Sequence, residues 1–159
     1  MRIVHTNGQD KDFYGLCERL DKSLNENTPG RKEAGMNSLS KLEQIKDVFL
    51  LYKGKDVIGS AGMWQHDDEW CELIRVFIAD EYRGRGWVGK LTKKIENLAK
   101  TKGYSKLFLR TYSSTPYAVR AYDKLGYKKV QASEMKYQDT FPKELAINEL
   151  RVFMEKNLK

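Results

Sequence analysis

Three closely spaced glycines, Gly84, Gly86 and Gly89, lie between an apolar segment and an amphipathic one. The β-branched and aromatic residues before them favour a buried strand that runs into Ile78. After them, apolar residues recur at helical spacing from Val88 onward. A glycine turn lets backbone approach a ligand, and the first N–H groups of a helix have no partner within it. The segment therefore predicts an anion site, with a phosphate-bearing ligand as the first hypothesis.

Basic residues surround this turn and add to its attraction for anions; they are Arg83, Arg85, Lys90, Lys93 and Lys94. The glycine spacing also fits a dinucleotide-binding fingerprint, which requires a carboxylate on the next strand for the ribose. That strand, residues 106–111, carries none, and the segments before the turn are typical of antiparallel hairpins. A kinase glycine-rich loop has the same spacing, but the chain lacks an HRD or DFG motif.

A different family accounts for more of the chain. The run from Tyr82 to Gly86, followed by a basic helix, resembles the acetyl-CoA loop of the GNAT superfamily of N-acetyltransferases. A downstream segment of the type N-x-x-A-x-x-x-Y-x-K-x-G-F/Y also matches, through Ala118, Tyr122, Lys124, Gly126 and Tyr127. The resemblance covers roughly residues 47–132. It has two departures: Val88 stands where a small residue is usual, and Thr115 where Asn is common.

The resemblance implies an α/β fold of the α+β type. Its sheet would be mixed, mostly antiparallel and twisted, with about six to seven strands and flanking helices. A central parallel pair would splay to admit acetyl-CoA as cosubstrate. The strand end would contact the pantetheine arm, and the N–H groups of the turn would bind the pyrophosphate. The expected cofactor-binding residues are Phe77, Ile78, Arg83, Gly84, Arg85, Gly86, Trp87, Val88 and Gly89.

Acetyl transfer to an amine requires a base, because an aliphatic amine has a pKa of about 10.4 and is mostly charged at neutral pH. Glu72, on the central strand, matches the strand glutamate that acts as base in histone-acetylating members of the superfamily. The alternative for Glu72 is an ordinary exposed strand residue. Weaker candidates for the base are the turn residues His66, Asp67 and Asp68.

The departing thiolate requires a proton, and the resemblance points to Tyr122 as its donor. A phenol with a pKa of about 10 can protonate an alkyl thiolate of similar basicity. The alternative is a core aromatic, since Tyr122 lies four residues after Ala118 on the predicted helix. The aromatic residues Trp64, Tyr112 and Tyr117 could line the acceptor site or serve only packing.

These features predict an acetyl-CoA-dependent N-acetyltransferase that acts on a primary amine of a small molecule or peptide, by direct attack in a ternary complex. A non-catalytic CoA-binding regulatory module on the same fold is the alternative. The net charge of +7 also admits nucleic-acid binding, which we favour less because much of the charge flanks the glycine turn. No metal is predicted, since the His and Cys residues lack ligand spacing. A homodimer is left open.

The length of 159 residues suits one domain, 1–159, and the composition is ordinary for a globular protein. Cys17 and Cys71 are expected to be reduced structural thiols. With neither a signal pattern nor a long apolar run, the expected location is cytoplasmic, without a membrane span.

The remaining patterns predict the elements that position these residues. Residues 25–35 are expected to form a loop, either a lid over the acceptor site or a plain connector, and 133–148 carry no clear pattern. Helices are predicted from Asp10 or Asp12 to about Leu24, over 38–44, from the glycine turn to about Lys102, and from Thr115 to Gly126. Strands are predicted at 2–5, 47–52, 57–64, 70–78, 105–111, 127–131 and 150–155.

Overall fold

The computed structural model describes residues 1–27, 39–113, 116–137 and 151–159. One seven-stranded sheet has the order β1-β2-β3-β4-β5-β7-β6. Its strands are β1 (Arg2–Thr6), β2 (Asp47–Lys53), β3 (Asp56–Gln65), β4 (Trp70–Ile78), β5 (Lys106–Tyr112), β6 (Lys128–Val130) and β7 (Arg151–Asn157). Every neighbouring pair is antiparallel except β4 and β5. The predicted sheet type is confirmed, and each predicted strand end lies within two residues of the observed one.

In the described part of the chain, four α-helices accompany the sheet: α1 (Lys11–Asn27), α2 (Leu39–Leu42), α3 (Trp87–Thr101) and α4 (Pro116–Lys124). Helix α1 begins after Asp10, whose carboxylate accepts a hydrogen bond from the backbone N–H of Asp12 at 2.9 Å. Because α1 continues to Asn27, the prediction of a loop from residue 25 is wrong for its first three residues. The rest of that loop and the Thr115 cap lie outside the described residues.

The core lies on the central strands, where side chains from α1 and α3 cover the sheet. Phe13 of α1, Leu91 and Ile95 of α3, and Leu50 and Leu107 of the sheet are fully buried. Helices α1 and α3 both pack against β3 and β4. Because α3 crosses between β4 and β5, these two strands run parallel. The crossover thus places the start of α3, and with it the glycine turn, at the carboxyl end of β4.

A second, smaller apolar cluster joins β5, β7 and the segment that follows β6. It contains Phe108, Met135 and Phe153, with Trp70 and Tyr137 packed against it. The segment carries a short 3-10 helix, Ala132–Glu134. The sequence pattern did not assign this segment, yet residues 132–137 pack against the end of β5 that pairs with β4.

Both cysteines are buried free thiols. Burial raises the pKa of Cys17 and of Cys71 to about 12, so both are protonated at neutral pH and poor nucleophiles. This agrees with the expected structural role. Within the described ranges, no helix is long and apolar enough to cross a membrane.

Candidate active site

The parallel pair β4–β5 separates part-way along its length. Backbone pairing joins Trp70–Leu73 to Lys106–Leu109 and stops there, although β4 runs on to Ile78 and β5 to Tyr112. On the β5 side, no described strand pairs with residues 74–78 of β4. A cavity of about 520 Å³ opens beside this part of β4. The predicted splay is therefore present, and it leaves backbone polar groups of β4 available to a ligand.

A β-bulge in β4 accompanies this splay. Between the pairs Ser60–Phe77 and Gly62–Ile74, β3 advances two residues while β4 advances three. The extra residues include Arg75, whose φ of 54° lies in the left-handed region. The hydroxyl of Ser60 donates to the Arg75 carbonyl at 2.8 Å. A bulge bends the strand that carries it, so this one helps turn β4 away from β5.

The side chain of Arg75 fastens the bulge to α1. Its Nη1 donates to Oδ1 of Asp21 at 2.8 Å, and both side chains are almost fully buried. A buried ion pair has few alternative partners, because moving either charge would leave the other unpaired at a cost of several kcal/mol. The N-terminal helix and the bulge are therefore held in a fixed relation beside the cavity.

The glycine turn has the backbone conformation that an anion site requires. Gly84 and Gly86 have φ values of 75° and 84°, which L side chains rarely adopt. Gly86 is the N-cap of α3, and the N–H of Lys90 makes the helix's first backbone bond, to the Gly86 carbonyl. The preceding N–H groups, including that of Gly89, thus lack helical partners. Gly89 is small for another reason, since a Cβ there would lie 3.3 Å from Leu125.

The two arginines of the turn behave differently. The Nε of Arg83 donates to the Ile78 carbonyl at 2.9 Å, and its Nη1 lies 3.0 Å from a carboxylate oxygen of Asp80. Arg83 lines the cavity, whereas Arg85 lies over the ring of Tyr82 and does not. The other predicted cofactor residues all line the cavity; they are Phe77, Ile78, Gly84, Gly86, Trp87, Val88 and Gly89.

Tyr122 lines the same cavity from α4. Its side chain is also part of the main core, where its ring meets that of Tyr127 edge to face at 5.9 Å. Burial, followed by the proximity of Tyr117, raises the pKa of Tyr122 well above the usual 10. The hydroxyl therefore keeps its proton at neutral pH. Tyr122 is thus a core aromatic, as the alternative for it predicted, and its position in the cavity lining is also compatible with the role of proton donor.

Glu72 also lines the cavity but is only 3% exposed. The alternative of an ordinary exposed strand residue is therefore wrong. Oε1 of Glu72 lies 2.9 Å from Nε2 of His66. The His66 ring stacks on Tyr137 at 4.3 Å and lies 5.1 Å from the ring of Phe108. His66 is thus the hydrogen-bond partner of Glu72 rather than a solvated turn residue.

Asp67 fixes the turn between β3 and β4. Its Oδ1 accepts the backbone N–H groups of Glu69 and Trp70, both at 2.7 Å. Its Oδ2 accepts from the ammonium of Lys136 at 2.8 Å and from the Tyr137 hydroxyl. Lys136 first, and then Tyr137, lower the pKa of Asp67 far below the usual 3.8. A carboxylate with so low a pKa is a poor base at neutral pH.

The other aromatic candidates divide between two cavities. Tyr112 and Tyr117 line the large one, whereas Trp64 lines a separate cavity of about 170 Å³ beside Asp47 and Lys102. Among the described residues, no cluster of three or more His, Cys, Asp or Glu side chains could hold a metal ion. The large cavity presents groups capable of hydrogen bonding and proton transfer, among them Glu72 and Tyr122.

Residues 17–127 match the sequence model of the acetyltransferase (GNAT) family. The chain belongs to this family. A mycothiol acetyltransferase from Corynebacterium glutamicum is 32% identical over 81 residues, which make up 51% of this chain and 28% of that protein. The chain thus spans little more than a quarter of the length of the curated relatives it matches.

Solved structures show the same GNAT fold over almost the whole chain. A GNAT-family acetyltransferase from Staphylococcus aureus has a TM-score of 0.80 at 16% identity and covers 99% of this chain and 100% of its own. An acetyltransferase candidate from Salmonella typhimurium, solved with its cofactor acetyl-CoA, has a TM-score of 0.67 at 16% identity. The match covers 100% of this chain and 94% of that one. At such identities the likeness shows the fold alone.

Sequence reasoning missed three residues around this GNAT cleft: Asp21, Arg75 and Tyr137. It also missed that His66 pairs with Glu72. One signal for that pair was present, because in the β3–β4 hairpin Trp64 lies opposite Glu72. His66 is then the diagonal neighbour of Glu72 on the same face, which is within reach of long side chains.

Proposed function

We propose that this chain is an acetyl-CoA-dependent N-acetyltransferase that acts on a primary amine of a small molecule or peptide. The observation that carries the proposal is that the glycine turn, Tyr122 and Glu72 line one and the same cavity. Membership of the GNAT family supports it, as does the acetyl-CoA held by the Salmonella typhimurium neighbour. A cytoplasmic location and a single domain remain predictions from the sequence.

The cofactor would be bound mainly by backbone. The N–H groups of residues 87–89 precede the first backbone bond of α3 and suit the pyrophosphate, with the helix dipole favouring its charge. The pantetheine arm would lie along the unpaired side of β4, against Phe77 and Ile78, in the manner of an added strand. Exposed basic side chains around the turn, Lys90, Lys93 and Lys94, add favourable potential for an anionic ligand.

Acetyl transfer then needs three proton movements in the cavity. Glu72 takes a proton from the acceptor ammonium, and the free amine attacks the thioester carbonyl carbon. A backbone N–H of the splayed part of β4, near Ile78, would stabilise the charge that develops on the carbonyl oxygen. When the tetrahedral intermediate collapses, the carbon–sulfur bond breaks and the Tyr122 hydroxyl gives its proton to the thiolate sulfur. The nitrogen, which is cationic after the attack, gives its surplus proton to the Tyr122 oxygen, which leaves a neutral amide and restores the hydroxyl.

The raised pKa of Tyr122 has two consequences for this step. It guarantees that the hydroxyl is protonated at neutral pH, but it also makes Tyr122 a weaker acid than a solvated phenol. The same burial raises the basicity of a thiolate formed beside it, because both anions lose hydration. The pKa of the acid and that of the leaving thiol therefore rise together, and the free energy of proton transfer between them changes little.

A thiol-release assay with acetyl-CoA tests this function. The acceptor panel consists of polyamines, amino acids, aminoglycosides and peptide N-termini, and mass spectrometry identifies the acetylated product. The proposal expects thiol release that depends on at least one amine, with an N-acetyl product in equal amount. A chain that binds acetyl-CoA tightly but shows no amine-dependent release with any class would instead be a CoA-binding regulatory module.

A further inference from the structure

Each turnover of the proposed reaction releases one proton. An ammonium R–NH3⁺ and acetyl-CoA give R–NH–CO–CH3, the free thiol and H⁺, so one proton must leave the site. Glu72, the proposed acceptor of that proton, has a side chain that is only 4% exposed. With cofactor and amine in the cavity, the cavity side of this carboxylate is occupied. The proton therefore needs a route on another side.

His66 is placed to provide that route. Its Nε2 lies 2.9 Å from Oε1 of Glu72, and its side chain is 9% exposed, so it is slightly nearer to solvent than its partner. It belongs to the turn between β3 and β4, whose next residues, Asp68 and Glu69, are exposed. An imidazole can accept a proton at one ring nitrogen and release one from the other.

Aromatic side chains hold this imidazole in place. Tyr137 stacks on one side at 4.3 Å, and Phe108 lies 5.1 Å away on β5. The charged groups nearby are Glu72 itself, Asp67 in the same turn, and Lys136 beside Tyr137. Asp67 and Lys136 pair with each other at 2.8 Å. The Glu72 carboxylate is thus the charged group in hydrogen-bond contact with the ring.

We propose that His66 is the positioning residue of Glu72 and the outlet for the reaction's proton, an inference that rests on the proposed function. Glu72 takes a proton from the ammonium and becomes a neutral acid. Its O–H then gives that proton to Nε2 of His66 in the Nδ1–H tautomer, which restores the carboxylate and forms an imidazolium. The imidazolium releases its Nδ1 proton to solvent water, which leaves the Nε2–H tautomer. Proton exchange with solvent water restores the Nδ1–H tautomer before the next turnover.

Two variants of His66 separate an outlet from a merely structural hydrogen bond. His66→Gln can still donate to Glu72 but cannot take up a proton, and His66→Ala leaves room for free imidazole. We expect His66→Gln to lower kcat by about 10²-fold, the low end of the range for acid–base groups, with an unchanged KM for acetyl-CoA. We expect added imidazole to restore a large part of the activity of His66→Ala but none in Glu72→Gln.

The other histidine of the chain is a matched control. His5 lies on β1 and contacts Asp47, outside the cavity. His5→Ala should keep the parental rate and show no response to imidazole. Parental kcat in His66→Gln, or loss in His66→Ala that imidazole does not relieve, would overturn the inference. If the parent itself shows no amine-dependent thiol release, the proposed function fails instead, so the two failures are distinct.

A measurement on folded protein covers the case in which His66→Ala does not fold. With only two histidines in the chain, ¹⁵N-labelled imidazole gives two sets of ring resonances. Glu72→Gln should shift those of His66 and leave those of His5 in place. Identical His66 resonances in parent and variant would show that the pair does not exist in solution, and the inference would be wrong.

Discussion

The two ends of the cleft are built in different ways. The proposed cofactor end comes from one continuous run, residues 77–89, which includes the positive-φ glycines and the start of α3. At the proposed acceptor end, Glu72 lines the cavity and separate segments support it from behind: His66 pairs with it, and Phe108 of β5 and Tyr137 after β6 lie against His66. The first depends on backbone conformation, and the second on buried side chains that pair across the fold.

This difference predicts different responses to substitution. Backbone N–H donors stay in place when a neighbouring side chain changes, so the cofactor end should be harmed only by changes of conformation or charge. A buried carboxylate depends on its partner, and removing a single polar atom there leaves another group unsatisfied. Small isosteric changes should therefore matter far more at the acceptor end.

The largest effect is expected at the cofactor end, from Gly86→Asp. The substitution adds a negative charge at the proposed phosphate site and should abolish the thermal stabilisation by acetyl-CoA. Gly103→Asp is the matched control, because Gly103 is also exposed and has a φ of 90°, but lies at the other end of α3. Differential scanning fluorimetry should show a normal acetyl-CoA shift in the control. A normal shift in Gly86→Asp would place the cofactor elsewhere.

Next in size is the loss of one hydroxyl in Tyr122→Phe. Volume and packing barely change, so stability and acetyl-CoA affinity should hold, while kcat should fall by about 10²–10⁴-fold. The loss should shrink with an aryl thioester, whose thiolate departs without a proton. Because burial raises the Tyr122 pKa, the parent should show no alkaline loss of activity from this group below pH 10. A decline there that disappears in Tyr122→Phe would show that the pKa of Tyr122 is not raised, whereas a parental kcat in Tyr122→Phe would contradict its role as the acid.

Tyr127→Phe is the matched control for that experiment. Its hydroxyl is buried too, but it donates to Glu96 at 3.0 Å and does not line the cavity. Removing it should lower the free energy of unfolding by about 1 kcal/mol and leave kcat unchanged. Equal kcat losses in the two variants would indicate that both tyrosines act only through packing.

A somewhat smaller effect is expected from Glu72→Gln. We expect turnover to fall by about 10²-fold at neutral pH, and less as pH rises, because more of the acceptor is then already a free amine. Glu96→Gln is the control, since Glu96 is equally buried but pairs with Lys156 at 3.0 Å away from the cavity. Rate–pH profiles of both variants provide the test. A loss in Glu72→Gln that is uniform across pH would mean that Glu72 only binds or packs.

The smallest effect concerns the turn that supports the acceptor end. The folded-state pKa of Asp67 is depressed, so its ionised form stabilises the fold above the usual value of about 3.8, and this stability is lost as pH falls. Asp67→Asn should therefore lower Tm by a few degrees at pH 7, and the difference should vanish in acid. Acetyl-CoA affinity should not change. A difference that stays constant from pH 7 down to pH 2 would rule out the ionic contribution.

The glycine turn could be predicted from the sequence because local rules determine its conformation. A glycine with positive φ and the N-terminus of a helix can both be read from a short stretch, as at Gly84 and Gly86. The direction of a side chain cannot be read from a short stretch. Arg85, for example, lies over Tyr82 instead of in the cavity. The family and the sheet were predicted correctly for the same reason: both rest on local motifs in a fixed order.

The acceptor end depended on contacts between distant residues. The strand position of Glu72 could be predicted, but the ring that stacks on its partner His66 belongs to Tyr137, 65 positions from Glu72 by residue number. The bulge at Arg75 had no sequence signal, because Asp21 and Ser60, which hold it, are 54 and 15 residues away. Contacts between such distant residues can be identified only once the fold is known.

Direct transfer within one cleft is the central claim, and a single-turnover experiment tests it best. The protein, in excess over acetyl-CoA labelled in its acetyl group, is first held without acceptor and then mixed with the amine that is most active in the thiol-release panel. We predict no labelled protein and no thiol before mixing, then one labelled N-acetyl product for each thiol released. Stoichiometric acetylation of the protein before the amine is added, or thiol release without it, would contradict the account.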